Sequence, residues 1–117
     1  MIHFKELFHF SETEVSCFFK QAKKVKSVNG LKLLRCASPL AGFDHPAFDY
    51  GKLLVVTPRK AGKAHERNKI RRQIKEIFYT NQLYLRQGYS VVLVYKDAIN
   101  VSFGQLTDFF LTNIIQQ

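Results

Sequence analysis

The chain has 117 residues, 46% of them hydrophobic, with 18 Lys and Arg against 9 Asp and Glu for a formal net charge of +9. That length suits one domain over residues 1–117 and is too short for two, and 11 Phe with 5 Tyr exclude a chain too polar to fold. Two cysteines, Cys17 and Cys36, make neither a disulfide framework nor a metal motif, and no apolar run nears the roughly 20 residues that span a bilayer.

The N-terminal stretch MIHFKELFHF carries Glu6, His3 and His9 where a signal peptide needs an unbroken apolar block. With reduced thiols and no membrane segment, the expected location is the cytoplasm. Ser11 and Glu14 form a capping box, flanked by Phe10 and Val15 as a hydrophobic staple. Val15, Phe18, Phe19, Ala22 and Val25 follow at helical spacing, which predicts a helix running until Asn29-Gly30 stops it. Lys20, Lys23, Lys24 and Lys26 then crowd its last turns, where they suit either the helix dipole or a phosphate backbone.

Residues 31–37 and 52–57 read as strands, separated by a loop over 38–50 with two Pro, one Gly and two Asp. Pro58 ends the second strand, and 59–63 leads into a helix from about Ala64 to Asn81. Gln87-Gly88 turns the chain into YSVVLVY, an apolar run without alternation, as in a strand covered on both faces. Ser102 and Gln105 cap a last helix that buries some of Phe103, Leu106, Phe110, Leu111 and Ile114. The order is α-β-β-α-β-α, an α+β sandwich with helices packed on a small sheet. A further short strand has room near Val28–Asn29 or within 38–50.

Between Arg59 and Lys75 stand eight basic residues (Arg59, Lys60, Lys63, Arg67, Lys69, Arg71, Arg72, Lys75) and one acidic residue, Glu66. On the predicted helix, Ile70, Ile74, Ile77 and Phe78 share one apolar stripe that must face the sheet. Asn68, Arg71, Arg72 and Lys75 occupy the adjacent flank with Arg67 at its border, while Glu66, Gln73 and Glu76 are expected on the opposite flank. Only Lys69 breaks the segregation. A solvated helix usually interleaves charge signs; this one repels itself along one edge, which points to an external polyanion. Charge pattern alone does not separate RNA from DNA or acidic lipid, nor does it exclude a plain solvated face.

The residue order narrows the choice. Arg59-Lys60, Gly62, Ala64, the core Arg67-Asn68-Lys69, and then Arg71, Arg72 and Lys75 resemble the signature of the bacterial ribonuclease P protein subunit, in a strand–helix–strand–helix context covering about 52–115. The resemblance implies an α-β-β-(β)-α-β-α fold of similar size. It also implies a left-handed strand–helix–strand crossover, against the usual right-handed rule. It implies the protein subunit of an endoribonuclease that removes the 5′ leader of precursor tRNA, with catalysis and Mg²⁺ held by a catalytic RNA subunit. No catalytic or metal-binding residue is then expected in the protein, and no obligate protein partner. By position, Arg59, Lys60, Lys63, Arg67, Asn68, Lys69, Arg71, Arg72 and Lys75 are the expected contacts to that RNA. Asn68 fits equally as a lock on the loop-to-helix geometry.

The segment 14–20 is similar to the family's first helix, which places Phe19 and Lys20 beside the leader cleft, with Lys23 and Arg35 as further leader contacts. Phe19 fits core burial as well as base stacking. Three departures stand out. ELFHFSETE replaces a basic N-terminal tail, Leu54 and Val56 stand where small residues are frequent, and Arg35 stands where an aromatic is common. His3, His9, His45 and His65 show no ligand spacing, and the scattered acids form no pair for a protein-based two-metal nuclease. The rival reading is a non-enzymatic RNA-binding or ribosome-associated module using the same basic helix.

Overall fold

The computed structural model describes residues 4–36, 50–86 and 88–115. The loop expected over 38–50, apart from Tyr50, and Gln87 of the expected turn lie outside the described residues. So do His3, His45, Asp44 and Asp49.

Two short N-terminal helices come first, α1 (Phe4–Leu7) and α2 (Glu12–Gln21). The capping box of α2 forms as expected: the Glu14 amide donates to Ser11 Oγ at 3.2 Å, and the Ser11 amide donates to the Glu14 carboxylate at 2.9 Å. The helix is shorter than its apolar spacing predicts. Ala22 turns extended, with ψ 144°, and Lys23–Val28 is a strand, β1. Asn29 and Gly30 both take positive φ, 53° and 79°, as a two-residue hairpin turn of matching twist requires. Asn-Gly is thus a hairpin signal rather than a helix stop, and the extra strand falls beside it. Gly30 has a second constraint, since a Cβ there would meet the Ala98 amide nitrogen at 2.4 Å. Of the lysines expected on the helix, only Lys20 is there. Lys23, Lys24 and Lys26 lie on β1, an edge strand, where charge discourages pairing with another chain.

The remaining strands are β2 (Leu31–Cys36), β3 (Lys52–Val56) and β4 (Tyr89–Val94), in sheet order β1-β2-β4-β3. β1–β2 and β2–β4 pair antiparallel, and β3–β4 pair parallel with helix α3 (Ala64–Thr80) as their crossover. Helix α4 (Phe103–Phe110) follows and continues as a π-helical turn through Leu111–Ile115.

One sheet face carries Leu31, Leu33, Leu53, Val92 and Val94, buried against Ile70, Ile74, Ile77 and Phe78 of α3 and Leu106, Phe110 and Ile114 of α4. Phe103, at the start of α4, remains exposed. α1 closes this core with Leu7 and Phe8, the latter edge-on to Phe78 at 5.6 Å. The other face carries Tyr89 and Val91 against Phe10 and Phe18, with half-buried Leu34, Leu54, Val56 and Leu93 around them. Burying an Ile or Phe contributes about 1.5–3 kcal/mol, so the four apolar anchors of α3 supply several kcal/mol. Like charges one turn apart cost only about 0.2–0.5 kcal/mol per pair. The core therefore tolerates a self-repelling outer edge on α3.

Candidate nucleic-acid interface

α3 presents the basic edge outward. Arg59 and Lys60 are exposed on a 3-10 turn (Arg59–Ala61) after Pro58, and Lys63 is the residue that precedes the helix. Asn68 and Arg72 are exposed on this side of the helix, Arg67, Arg71 and Lys75 are half-buried there, and Lys69 is exposed on the other flank beside Glu66 and Gln73. Lys63, Arg67, Arg71 and Lys75 recur every four residues and form one ridge.

Two arginines of the ridge are held in place. Arg67 Nε donates to the Gly62 carbonyl at 3.1 Å, and Arg71 donates to Thr57 Oγ1 and, at 3.4 Å, to Asn68 Oδ1. Each guanidinium keeps several N–H donors for an external acceptor. Asn68 makes no bond to the loop among the described residues, so the loop-to-helix lock belongs to Arg67 and not to Asn68. Space at Gly62 is tight: a Cβ there would lie 3.1 Å from Glu66 Oε1 and 3.3 Å from Ile99 Cγ1, so these side chains would have to give slightly.

Glu66 does not neutralise the ridge. Its carboxylate accepts from the Lys63 amide at 2.9 Å, satisfying a donor at the helix start. Glu76, expected on the opposite flank, instead lines a cleft together with Arg72. Among the described residues, no ion pair joins any ridge side chain to a carboxylate. Burial, and then the neighbouring Arg71 guanidinium, lower the Lys75 pKa from its ordinary value. Among the described residues, the charge of this edge is therefore not offset by any carboxylate.

The one ion pair seen among the described residues lies elsewhere. Lys52 Nζ sits 3.1 Å from Glu14 Oε2, with both side chains nearly buried, and rests over the rings of Phe10 and Tyr89 at 5.6 and 6.0 Å. Burial alone would raise the Glu14 pKa, but the Ser11 amide, Lys52 and the Tyr89 hydroxyl together outweigh it and lower it. Burial first, and then its bond to Glu14, raise the Tyr89 pKa. This cluster fastens the start of α2 to β3. Sequence reading misses it because the partners are 38 residues apart and Lys52 has no local signal.

The expected leader contacts do not all converge. Phe19 and Lys20 are exposed on α2, and Phe18, not Phe19, fills the core. Arg35 pairs with Ser90 across strands and donates to its hydroxyl at 2.6 Å, sharing the sheet face of Leu33 and Val92. That face is opposite α2. Lys23 pairs with Arg35 in register, while Lys24 pairs with Leu34 on the α2 side. Leu54 and Val56 stand half-buried on the α2 side of the sheet, so this face is lined by branched apolar chains. Among the described residues, no group of three His, Cys, Asp or Glu side chains is placed to hold a metal ion. No helix among them is long and apolar enough to cross a membrane.

A sequence profile of the family described as Ribonuclease P matches residues 12–115. The chain belongs to the ribonuclease P family. The ribonuclease P protein component of Thermotoga maritima is 34% identical over 64 residues, which cover 55% of this chain and 55% of that relative. The match therefore spans only about half the length of such relatives. The protein component of Onion yellows phytoplasma is 33% identical over 101 residues, covering 86% of this chain and 66% of that one. In three dimensions the RNase P protein from Thermotoga maritima superposes with TM-score 0.74 at 23% identity, covering 94% of this chain and 96% of that one. The four-stranded mixed sheet with its helices is thus the fold of the family's solved proteins.

Proposed function

We propose that this chain is the protein subunit of a ribonuclease P holoenzyme, an endoribonuclease that removes the 5′ leader of precursor tRNA. One observation carries the reading: the residues that match the family's signature form a cationic ridge that none of the described carboxylates neutralises. Two RNAs repel each other, and a dense row of cations between them lowers that repulsion while releasing condensed counterions. Arg67 and Arg71, held by Gly62 and Thr57, give the interface a fixed register. Arg59, Lys60, Lys63, Asn68, Lys69, Arg72 and Lys75 complete the surface toward the catalytic RNA subunit. Cleavage and the Mg²⁺ ions belong to that RNA, and the protein supplies binding and orientation in the cytoplasm.

The leader runs past α2 in this reading, with Phe19 offering a ring for stacking and Lys20 and Lys24 offering charge to the backbone. A leader of no fixed sequence suits such contacts better than base-edge readout. Arg35, on the opposite sheet face, takes no part.

The test is reconstitution with the cognate ribonuclease P RNA at low Mg²⁺. Cleavage of precursor tRNA at the mature 5′ end should become faster than with RNA alone. An unaltered rate, with the RNA still bound, assigns the ridge to a non-enzymatic RNA-binding module instead.

A further inference from the structure

The ridge ends in a cleft of about 560 Å³ lined by Phe4, Asn68, Arg71, Arg72, Lys75, Glu76, Tyr79 and Thr80. Two rings stand at its wall: Phe4 is 45% exposed and Tyr79 is 41% exposed, edge-on to each other at 5.2 Å. Each is backed by other aromatics, Phe4 by Phe8 at 4.8 Å and Tyr79 by Tyr84 at 5.7 Å, so the wall is held in shape from behind. Three cations, Arg71, Arg72 and Lys75, face one carboxylate, Glu76, and no ion pair joins them. Aromatic rings left open to solvent beside uncompensated cations match both parts of a nucleotide, base face and phosphate.

We propose that this cleft receives a single unpaired nucleotide of the partner RNA, its base against Tyr79 and Phe4 and its phosphates on Arg72 and Lys75. The proposal rests on the RNA-binding reading above and adds to it a particular feature, an extruded base at the C-terminal end of the ridge. Duplex RNA cannot use such a site, because its bases are stacked inside the helix. The position also explains why α1 is there at all. Four residues make a poor helix on their own, yet Leu7 and Phe8 anchor it and so present Phe4 at the cleft mouth.

The experiment uses the full chain and a single-stranded oligoadenylate carrying one 2-aminopurine, beside the same strand with an abasic site in its place. Wild-type protein should quench the 2-aminopurine and bind the base-bearing strand between about five-fold and about 100-fold more tightly than the abasic one. In a Phe19→Ala background, which removes the ring placed beside the leader, Tyr79→Ala should abolish both differences, and Tyr79→Phe should restore them because stacking needs only the ring. Phe103→Ala, exposed at the start of α4 and away from the cleft, should leave both differences unchanged. If Tyr79→Ala keeps full quenching and base preference while the ridge still binds RNA, the cleft is no base site although the RNA-binding reading stands. If Tyr79→Ala instead abolishes a concentration-dependent dimer in sedimentation, a second copy of the chain is the occupant and the proposal is wrong.

Discussion

Replacing Arg67 and Arg71 together by Ala removes two cations from the middle of the ridge while leaving all four apolar anchors of α3 in place. Every phosphate that the protein no longer neutralises should reduce the slope of log K against log salt by about 0.7–0.9, so the double variant should be shallower by about 1.4–1.8. Across a change from about 50 to about 200 mM salt, that difference corresponds to roughly a ten-fold smaller loss of affinity in the variant than in the wild type. The same substitutions remove the bonds to Gly62 and Thr57, both partly buried. At about 0.5–1.5 kcal/mol net for each bond, stability should fall by about 1–3 kcal/mol without loss of the fold. Urea titration reads the stability, and filter binding to the ribonuclease P RNA over a salt series reads the slope. Lys63→Ala with Arg72→Ala supplies the comparison, since both side chains are exposed and make no such bonds. Its slope should fall by the same amount with stability within about 0.5 kcal/mol of wild type. An unchanged slope in both double variants would refute the reasoning, because the ridge would then be solvated rather than bound.

Glu14→Gln should cost on the order of 3 kcal/mol, because the Lys52 ammonium stays nearly buried without its counter-charge. The folded Glu14 carboxyl titrates below its ordinary 4.5, so its stabilisation is complete above about that pH and is lost as pH falls through the lower folded value. Urea unfolding over an acid-to-neutral pH series should therefore show a shallower acid arm in the variant, and parallel profiles would mean that the cluster contributes nothing to acid stability. Phe19→Ala should weaken binding of leader-bearing precursor tRNA about five-fold or more while thermal stability barely moves, since Phe19 is 48% exposed. A large fall in melting temperature with leader affinity intact would assign the ring to packing.

Local signals in the chain are legible where one element decides them, and weak where two must meet. The Ser11–Glu14 box, the apolar stripe of α3 and the apolar run of β4 are each contained in a few residues, and each forms as expected. The end of α2 differs from expectation because Val25 fits helical spacing yet packs on the core from a bulge in β1, whose other residues pair with β2 on either side of it. The family resemblance places Arg35 among the leader contacts, but strand alternation puts it on the α3 side of the sheet. Glu76 is expected on the far flank with Glu66 and Gln73, yet it stands one turn after Arg72 and borders it at the cleft. The Lys52–Glu14 pair and the Phe4–Tyr79 wall join residues far apart in the chain, and neither leaves a pattern at any fixed spacing.

The placement of the arginines also says how the ridge divides its work. A long cationic side chain that is free in solution loses about 0.5–1.5 kcal/mol of freedom when it is fixed in an interface. Arg67 and Arg71 have met much of that cost already, through Gly62, Thr57 and Asn68, and they stand on a helix pinned by Ile70, Ile74, Ile77 and Phe78. Lys63, Lys69 and Arg72 have met none of it, being exposed and unbonded. The fixed pair is therefore suited to set where an RNA backbone sits, and the free cations to draw it in and release counterions. A helix with the same charge but without the Gly62 and Thr57 anchors would attract RNA about as well and would hold it in no single register.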